Sequence, residues 1–94
     1  MTKVAEDELR LLHQEKILNT GDVKVLLAWV DEMEEFGPTY IAQSPKWHDH
    51  VLRGKWTGFR ASAFSSSGRV IYRIEERLIV VQVYRVTTDH NYKR

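Results

Sequence analysis

Hydrophobic residues in this chain change their spacing near its midpoint, and that change limits the fold more than any other feature. Up to residue 36 they recur every three or four positions, the period of a helix with one buried face. In residues 5–18 the apolar positions are Leu9, Leu12 and Leu18, with Val4, Leu11 and Ile17 beside them. In residues 23–36 they are Val23, Leu26, Leu27, Val30 and Met33, with Trp29 adjoining. Between the two segments lie Asn19, Thr20, Gly21 and Asp22. This is a break whose last residue suits an N-cap. Gly37 and Pro38 end the second segment, as a glycine just past a helix end does. Two helices joined by so short a break make a hairpin over residues 5–36, each with an apolar face to cover. Residues 38–45 read as a connection with room for one helical turn through Tyr40 and Ile41.

Beyond residue 46 the pattern is that of strands. Residues 56–64 have strand character at their ends, with Phe59 and Phe64, and Ser65, Ser66, Ser67 and Gly68 form a turn. Residues 69–74 are a strand, Glu75, Glu76 and Arg77 a short turn, and residues 78–87 the richest run of Val and Ile. Such short connections join antiparallel neighbours, so the sheet over residues 56–87 is a meander of three to four strands. Residues 78–83 are apolar on both faces, which predicts a central, covered strand. The helix hairpin covers one face of the sheet, and the other face or the rim is left for a ligand. The expectation is a small α+β fold, a single domain over residues 1–94 with a functional tail at 88–94.

Composition removes several classes of function. The chain has 94 residues, 43% hydrophobic and 29% charged, an ordinary globular balance. It has no cysteine, so neither disulfides nor thiolate metal sites are available. The opening MTKVAEDELR lacks the basic end and apolar stretch of a secretion signal. The longest apolar runs, residues 25–30 and 78–81, are too short to cross a bilayer. A cytoplasmic protein without membrane contact is expected. The formal charge of +1 conceals an asymmetry. Residues 1–45 hold four Lys/Arg and nine Asp/Glu, a net of −5, and residues 46–94 hold ten and four, a net of +6. A basic half that also carries aromatics and histidines predicts a polyanionic partner, nucleic acid first.

The chemistry concentrates in two stretches. The first is Asp49-His50-Val51-Leu52-Arg53-Gly54-Lys55-Trp56-Thr57-Gly58-Phe59-Arg60, which sets a histidine, three cations and two aromatics side by side. Rings and guanidinium planes stack on bases, and cations neutralise phosphates. The second is the C-terminal end: Arg85, Asp89, His90, Asn91, Tyr92, Lys93 and Arg94. The residues offered to RNA are Lys46, Trp47, His48, Arg53, Lys55, Arg60, Arg69, Arg73, Lys93 and Arg94. Two histidines, an arginine and a tyrosine suit RNA cleavage without metal or cofactor. The 2′-hydroxyl loses a proton, the 5′-oxygen gains one, and a guanidinium holds the extra phosphorane charge. A metal site from His48, His50, Asp89 and His90 is the competing use, but its spacing matches no zinc signature. His13 reads as a solvated helix residue and Trp29 as core. Trp47 and Trp56 suit either a core or a base. Arg69, Arg73 and Arg77 equally suit an exposed strand and turn.

The run Asp49-His50-x-Leu-x-Gly-x-Trp-x-Gly-Phe-Arg60, followed by Arg69-Val-Ile-Tyr-Arg73 and a Val-rich last strand with Arg85, resembles the RelE/ParE superfamily of bacterial toxins. The nearest branch is the RelE/YafQ type of messenger-RNA interferase, and the resemblance covers residues 46–92. It implies the toxin of a type II toxin–antitoxin module, a ribosome-dependent endoribonuclease that cuts messenger in the A site. It also implies a cognate antitoxin that masks the basic surface, with operator DNA bound only through that complex. By position it implies catalytic roles for His50, Arg85, His90 and Tyr92. The sequence departs from the YafQ pattern at four points. No histidine follows the Phe-Arg pair within Arg60, Ala61, Ser62, Ala63 and Phe64. Ser67-Gly68 replaces an acidic-aromatic pair. Arg85 and His90 stand one residue further apart, so Asp89 or His90 fills that place. No strand is evident at the N terminus. A gyrase inhibitor of the ParE type and a non-catalytic binding module are the alternatives on the same fold.

Overall fold

The computed structural model describes residues 1–75 and 80–88; within residues 80–85 it describes the backbone alone. Three helices precede four strands. Helix α1 spans Lys3–Gln14, α2 Thr20–Phe36 and α3 Pro38–Gln43. Strands β1 His50–Val51, β2 Arg60–Ala63, β3 Arg69–Glu75 and β4 Val80–Thr87 form one antiparallel sheet in the order β1-β2-β3-β4. The α+β expectation holds, and the sheet is the predicted meander with one short strand added at its start. Short turns of 3₁₀ helix at Pro45–Trp47 and Gly54–Trp56 sit on either side of β1.

The helix ends follow from local hydrogen bonding. Thr2 caps α1, its hydroxyl accepting from the Ala5 N–H at 3.1 Å. The cap of α2 is Asn19 rather than Asp22. Asn19 Oδ1 accepts from the Asp22 N–H at 2.8 Å, and Asp22 Oδ2 accepts from the Asn19 N–H at 3.0 Å. Asp22 is thus the third residue of a reciprocal capping box, and each side chain satisfies a donor the helix leaves open. Helix α1 stops at Gln14, earlier than its apolar spacing predicts, because Lys16 turns left-handed (φ 62°). Leu18 still reaches the core, 1% exposed. Gly37 (φ 85°) ends α2 and leads directly into α3, where Pro38 opens a new helix at its first position. The predicted connection is therefore largely helical.

One core lies between the helices and the sheet. Ala5 from α1, Leu26, Trp29 and Met33 from α2, Ile41 from α3 and Trp47 meet Phe64, Val70, Tyr72 and Val86 from the sheet. Leu26, Trp29 and Met33 are spaced three and four apart, so Trp29 stands at the centre of the buried stripe, while Leu27 is half exposed. The Trp29 and Tyr72 rings meet edge to face, centroids 5.2 Å apart. The opposite face of the sheet is covered as well. Ala61 and Ile71 are buried there beneath Leu52, Trp56 and Phe59 from the segment joining β1 to β2. That face is therefore not wholly left for a ligand.

Strand β4 is an edge strand, not the central one its composition suggests. Helix α1 packs along it, and Glu8 Oε1 accepts the outward Val86 N–H at 3.2 Å. A covered edge hides unpaired backbone donors that invite aggregation, which accounts for an apolar strand at the rim. The Leu78 end of the predicted strand lies outside the described residues.

Candidate active site

Asp49 organises the stretch that holds the candidate histidines. Its side chain is fully buried (0% exposed) and accepts three hydrogen bonds of 2.6 Å, from Arg60 Nε, Ser62 Oγ and Tyr72 Oη. The donors come from two strands in register, since Arg60 stands opposite Tyr72 in the β2–β3 ladder. A buried carboxylate needs such partners, because water no longer solvates it. The network shapes its members in turn. Burial opposes the charge on Arg60, but the hydrogen bond and charge of Asp49 outweigh it and raise the arginine's pKa. Burial, then the hydrogen bond to Asp49, push the Tyr72 phenol well above the usual tyrosine range. Arg60, offered to RNA on sequence grounds, is thus engaged with Asp49 and leaves only 27% of its side chain exposed.

The histidines on either side of Asp49 point outward. His48 and His50 are both exposed. His48 adopts a left-handed backbone (φ 47°, ψ 42°), which reverses the chain between the 3₁₀ turn and β1. His50 Nδ1 lies 3.1 Å from the His48 carbonyl oxygen. A proton on Nδ1 donates to that oxygen, and Nε2 is then left as the acceptor, the form a general base requires. Asp49 anchors the chain between the two, so the pair rides on a fixed segment.

The segment after β1 carries the motif's glycines and cations. Gly54 (φ 67°) and Gly58 (φ 92°) take left-handed turns that fold it back over the sheet. The Leu52 N–H donates to the Phe59 carbonyl at 2.9 Å, closing the loop. Trp56 and Phe59 meet edge to face at 5.1 Å, and the Arg73 guanidinium lies 5.6 Å from the Phe59 ring centre. Arg53 and Lys55 are exposed. Arg73 also pairs with Glu75 at 2.8 Å. Arg69 Nη1 donates to the Ser65 and Gly68 carbonyls, tying down the β2–β3 turn. Trp47 is core, 1% exposed, so its ring is closed to stacking. Its Nε1 donates to Glu32 Oε1 at 3.1 Å, and Lys46 Nζ donates to Glu32 Oε2 at 2.6 Å. The Lys46 hydrogen bond leads the causes that hold Glu32 below its ordinary pKa.

The register places positions 50 and 85 in one line. His50 stands opposite Ala61, Ala61 opposite Ile71, and Ile71 opposite Arg85. Three inter-strand steps separate the ends of this row, about 14–15 Å between Cα atoms. Ile71 faces Arg85 while Tyr72 faces Val83, so Tyr84 is the extra residue of a bulge just before Arg85. Bulges concentrate near functional sites because they re-aim the strand. The Arg85 side chain, His90, Tyr92, Lys93 and Arg94 lie outside the described residues, as does Asp89.

A hollow of about 290 Å³ opens beside His48, lined by Val25, Lys46, Trp47, His48, Ala63, Phe64 and Ser65. Nothing in the sequence pattern marked it, because it joins α2, the 3₁₀ turn and the end of β2. Asp49 was equally hidden as an organiser: it stood in the motif, but its three partners are 11 to 23 residues distant. Among the described residues, no three His, Asp or Glu side chains are grouped so as to hold a metal ion. No helix among them is long and apolar enough to cross a membrane.

Neither a family model nor a curated protein sequence matches the chain. Solved structures do match in shape. A metal-bound toxin from Helicobacter pylori superposes with a TM-score of 0.67 at 21% identity, over 90% of this chain and 86% of that one. YafQ from Escherichia coli gives 0.65 at 18% identity, over 90% and 84%. YafQ in the E. coli DinJ–YafQ toxin–antitoxin complex gives 0.62 at 19%, over 90% and 84%. The chain shares the fold of YafQ and of the H. pylori toxin, and the likeness takes in far more than residues 46–92.

Proposed function

We propose that this protein is the toxin of a type II toxin–antitoxin module, a ribosome-dependent endoribonuclease that cuts messenger RNA by acid–base chemistry. One observation carries the reading. On a toxin fold, the structure holds an exposed imidazole at position 50 with Nδ1 engaged and Nε2 available, on a segment clamped by a buried carboxylate.

The reaction follows from the groups at hand. His50 Nε2 takes the proton from a 2′-hydroxyl, and the freed oxygen attacks the adjacent phosphorus. The bond to the 5′-oxygen breaks, leaving a 2′,3′-cyclic phosphate and a 5′-hydroxyl end once that oxygen is protonated. His90 or Tyr92 supplies this proton, and Arg85 steadies the phosphorane charge. Position 85 sits in the same cross-strand row as position 50. Arg53, Lys55, Arg69 and Arg73 supply charge along the RNA path, and Lys93 and Arg94 extend it at the C terminus. No step calls for a metal or cofactor.

A small acidic antitoxin is the proposed protein partner, and the site of action is the cytoplasm. Val4, Leu11, Val25, Leu27, Phe36 and Tyr40 are large apolar side chains exposed on the helices, and Ile17 is exposed on the link between α1 and α2. An antitoxin segment that covers them buries area the chain cannot bury alone. Operator DNA is reached through that complex. Expression in a bacterial host is expected to stop growth and leave cut messengers on translating ribosomes. His50→Ala combined with Arg85→Ala relieves both effects. Growth arrest with intact messengers refutes the nuclease reading, and trapped gyrase with a DNA-damage response in its place would establish the ParE-type alternative.

A further inference from the structure

We propose that the hollow beside His48 is a subsite for one unstacked nucleobase next to the scissile phosphate; this rests on the nuclease reading and adds where sequence preference arises. Its make-up suits a flat ring with a polar edge. Trp47 and Phe64, almost wholly buried, close the bottom of the hollow without offering a ring face to stack on, and Val25 and Ala63 line its sides. His48 and Ser65 stand at the rim. The Ser65 hydroxyl accepts from the Gly68 N–H at 2.7 Å and keeps its own proton to donate. The His48 side chain makes no hydrogen bond among the described residues, which leaves an exposed ring free to meet a base edge or stack on its face. Lys46, although paired with Glu32, adds positive charge at the rim. The volume of about 290 Å³ lies at the lower limit of ordinary ligand pockets, suited to one base rather than to a larger molecule.

The position also fits. Ala63 is two residues beyond Ala61, and Ala61 faces His50 across the ladder. At the rise of a strand this is about 7 Å. The stacked step of a nucleic-acid strand is about 3.4 Å, so the hollow lies where the neighbouring nucleotide arrives once pulled out of its stack. The left-handed backbone at His48 brings its ring to this side while His50 serves the phosphate.

Two substitutions close the hollow without touching His50: Ala63→Leu fills it from the β2 wall, and Val25→Trp covers it from α2. Both proteins are first shown to melt cooperatively, then expressed, and the 5′ ends of cut messengers are sequenced. Wild-type ends are expected to favour one base at a fixed position beside the cut. Both variants continue to cut, but that preference falls about tenfold, as loss of one stacked base implies. An unchanged preference in both folded variants overturns the subsite and leaves the nuclease reading standing. Loss of all cutting in both also overturns it, because a subsite for sequence choice must leave the chemistry at His50 working. If the wild type itself cuts no messenger, the reading beneath the proposal fails and the subsite fails with it.

Discussion

Replacing Asp49 with alanine removes the one acceptor shared by Arg60, Ser62 and Tyr72, each at 2.6 Å. Ser62 is fully buried and Tyr72 is 0% exposed, so neither hydroxyl finds water in exchange. Removing one partner of a buried ion pair costs about 3–5 kcal/mol, because the other charge stays behind unpaired. Each orphaned hydroxyl costs a further ~1–3 kcal/mol if it cannot turn elsewhere. Arg60 can move its guanidinium toward solvent, since 27% of the side chain is already exposed, so the low end of the pair estimate applies. Together with the two hydroxyls the loss comes to about 5–9 kcal/mol. That matches the whole stability of many small domains, so Asp49→Ala should be largely unfolded at 25 °C. Asp49→Asn keeps one carbonyl acceptor, and the hydroxyls can accept from its amide, so it should lose only about 1–3 kcal/mol. Thermal and denaturant melts of wild type, Asp49→Asn and Asp49→Ala decide the matter. A loss below about 1 kcal/mol for Asp49→Ala would show that the clamp does not hold the histidine segment, and the argument for a fixed His50 would go with it.

Further expectations follow from the same contacts. Tyr72 keeps its proton in the folded state beyond the usual tyrosine pKa of about 10, so unfolded chains lose protons first. Stability is therefore intact below pH ~10 and falls as pH rises above it; melts at neutral and strongly alkaline pH should show this fall, and Tyr72→Phe should flatten it. A Cβ at Gly68 would lie 2.6 Å from Phe64 Cζ and 2.6 Å from Ser65 Oγ. Because Phe64 is held in the core, Gly68→Ala should cost about 1–3 kcal/mol of overpacking in a denaturant melt. Trp47→Ala removes a buried indole together with its bond to Glu32, and should lower stability by about 3–5 kcal/mol in the same assay. Full stability in that variant would contradict the placement of Trp47 in the core.

The helices were legible because their apolar stripes outlast any single misplaced residue. Leu9, Leu12, Leu26 and Met33 announce the period, and only the ends were misjudged. Asn19 and Asp22 are both good caps, and sequence cannot say that they serve each other. Strand β1 escaped notice because two residues, His50 and Val51, have no period to detect. The apolar character of residues 78–83 was read as central burial. The sheet instead places β4 at an edge sheltered by α1, and a pattern of hydrophobicity does not distinguish cover by a strand from cover by a helix. The site divides in the same way. His48 and His50 were identifiable as exposed chemistry from their neighbours in the chain. The buried Asp49 was not, since a charged residue is assumed to face water until its partners are placed. Nor was the engagement of Arg60, which follows from cross-strand register alone. The hollow at Ala63 and Val25 depends on three elements meeting, and no local pattern reports that.

The account stands most directly on the imidazole of His50. Purified protein should be added to translating ribosomes carrying a defined messenger, and the ends of the products analysed. Wild type is expected to leave a 2′,3′-cyclic phosphate and a 5′-hydroxyl within the A-site codon, and His50→Ala to leave the messenger whole while melting like the wild type. Cutting by His50→Ala at the wild-type rate, or an uncut messenger with wild-type protein, would contradict it.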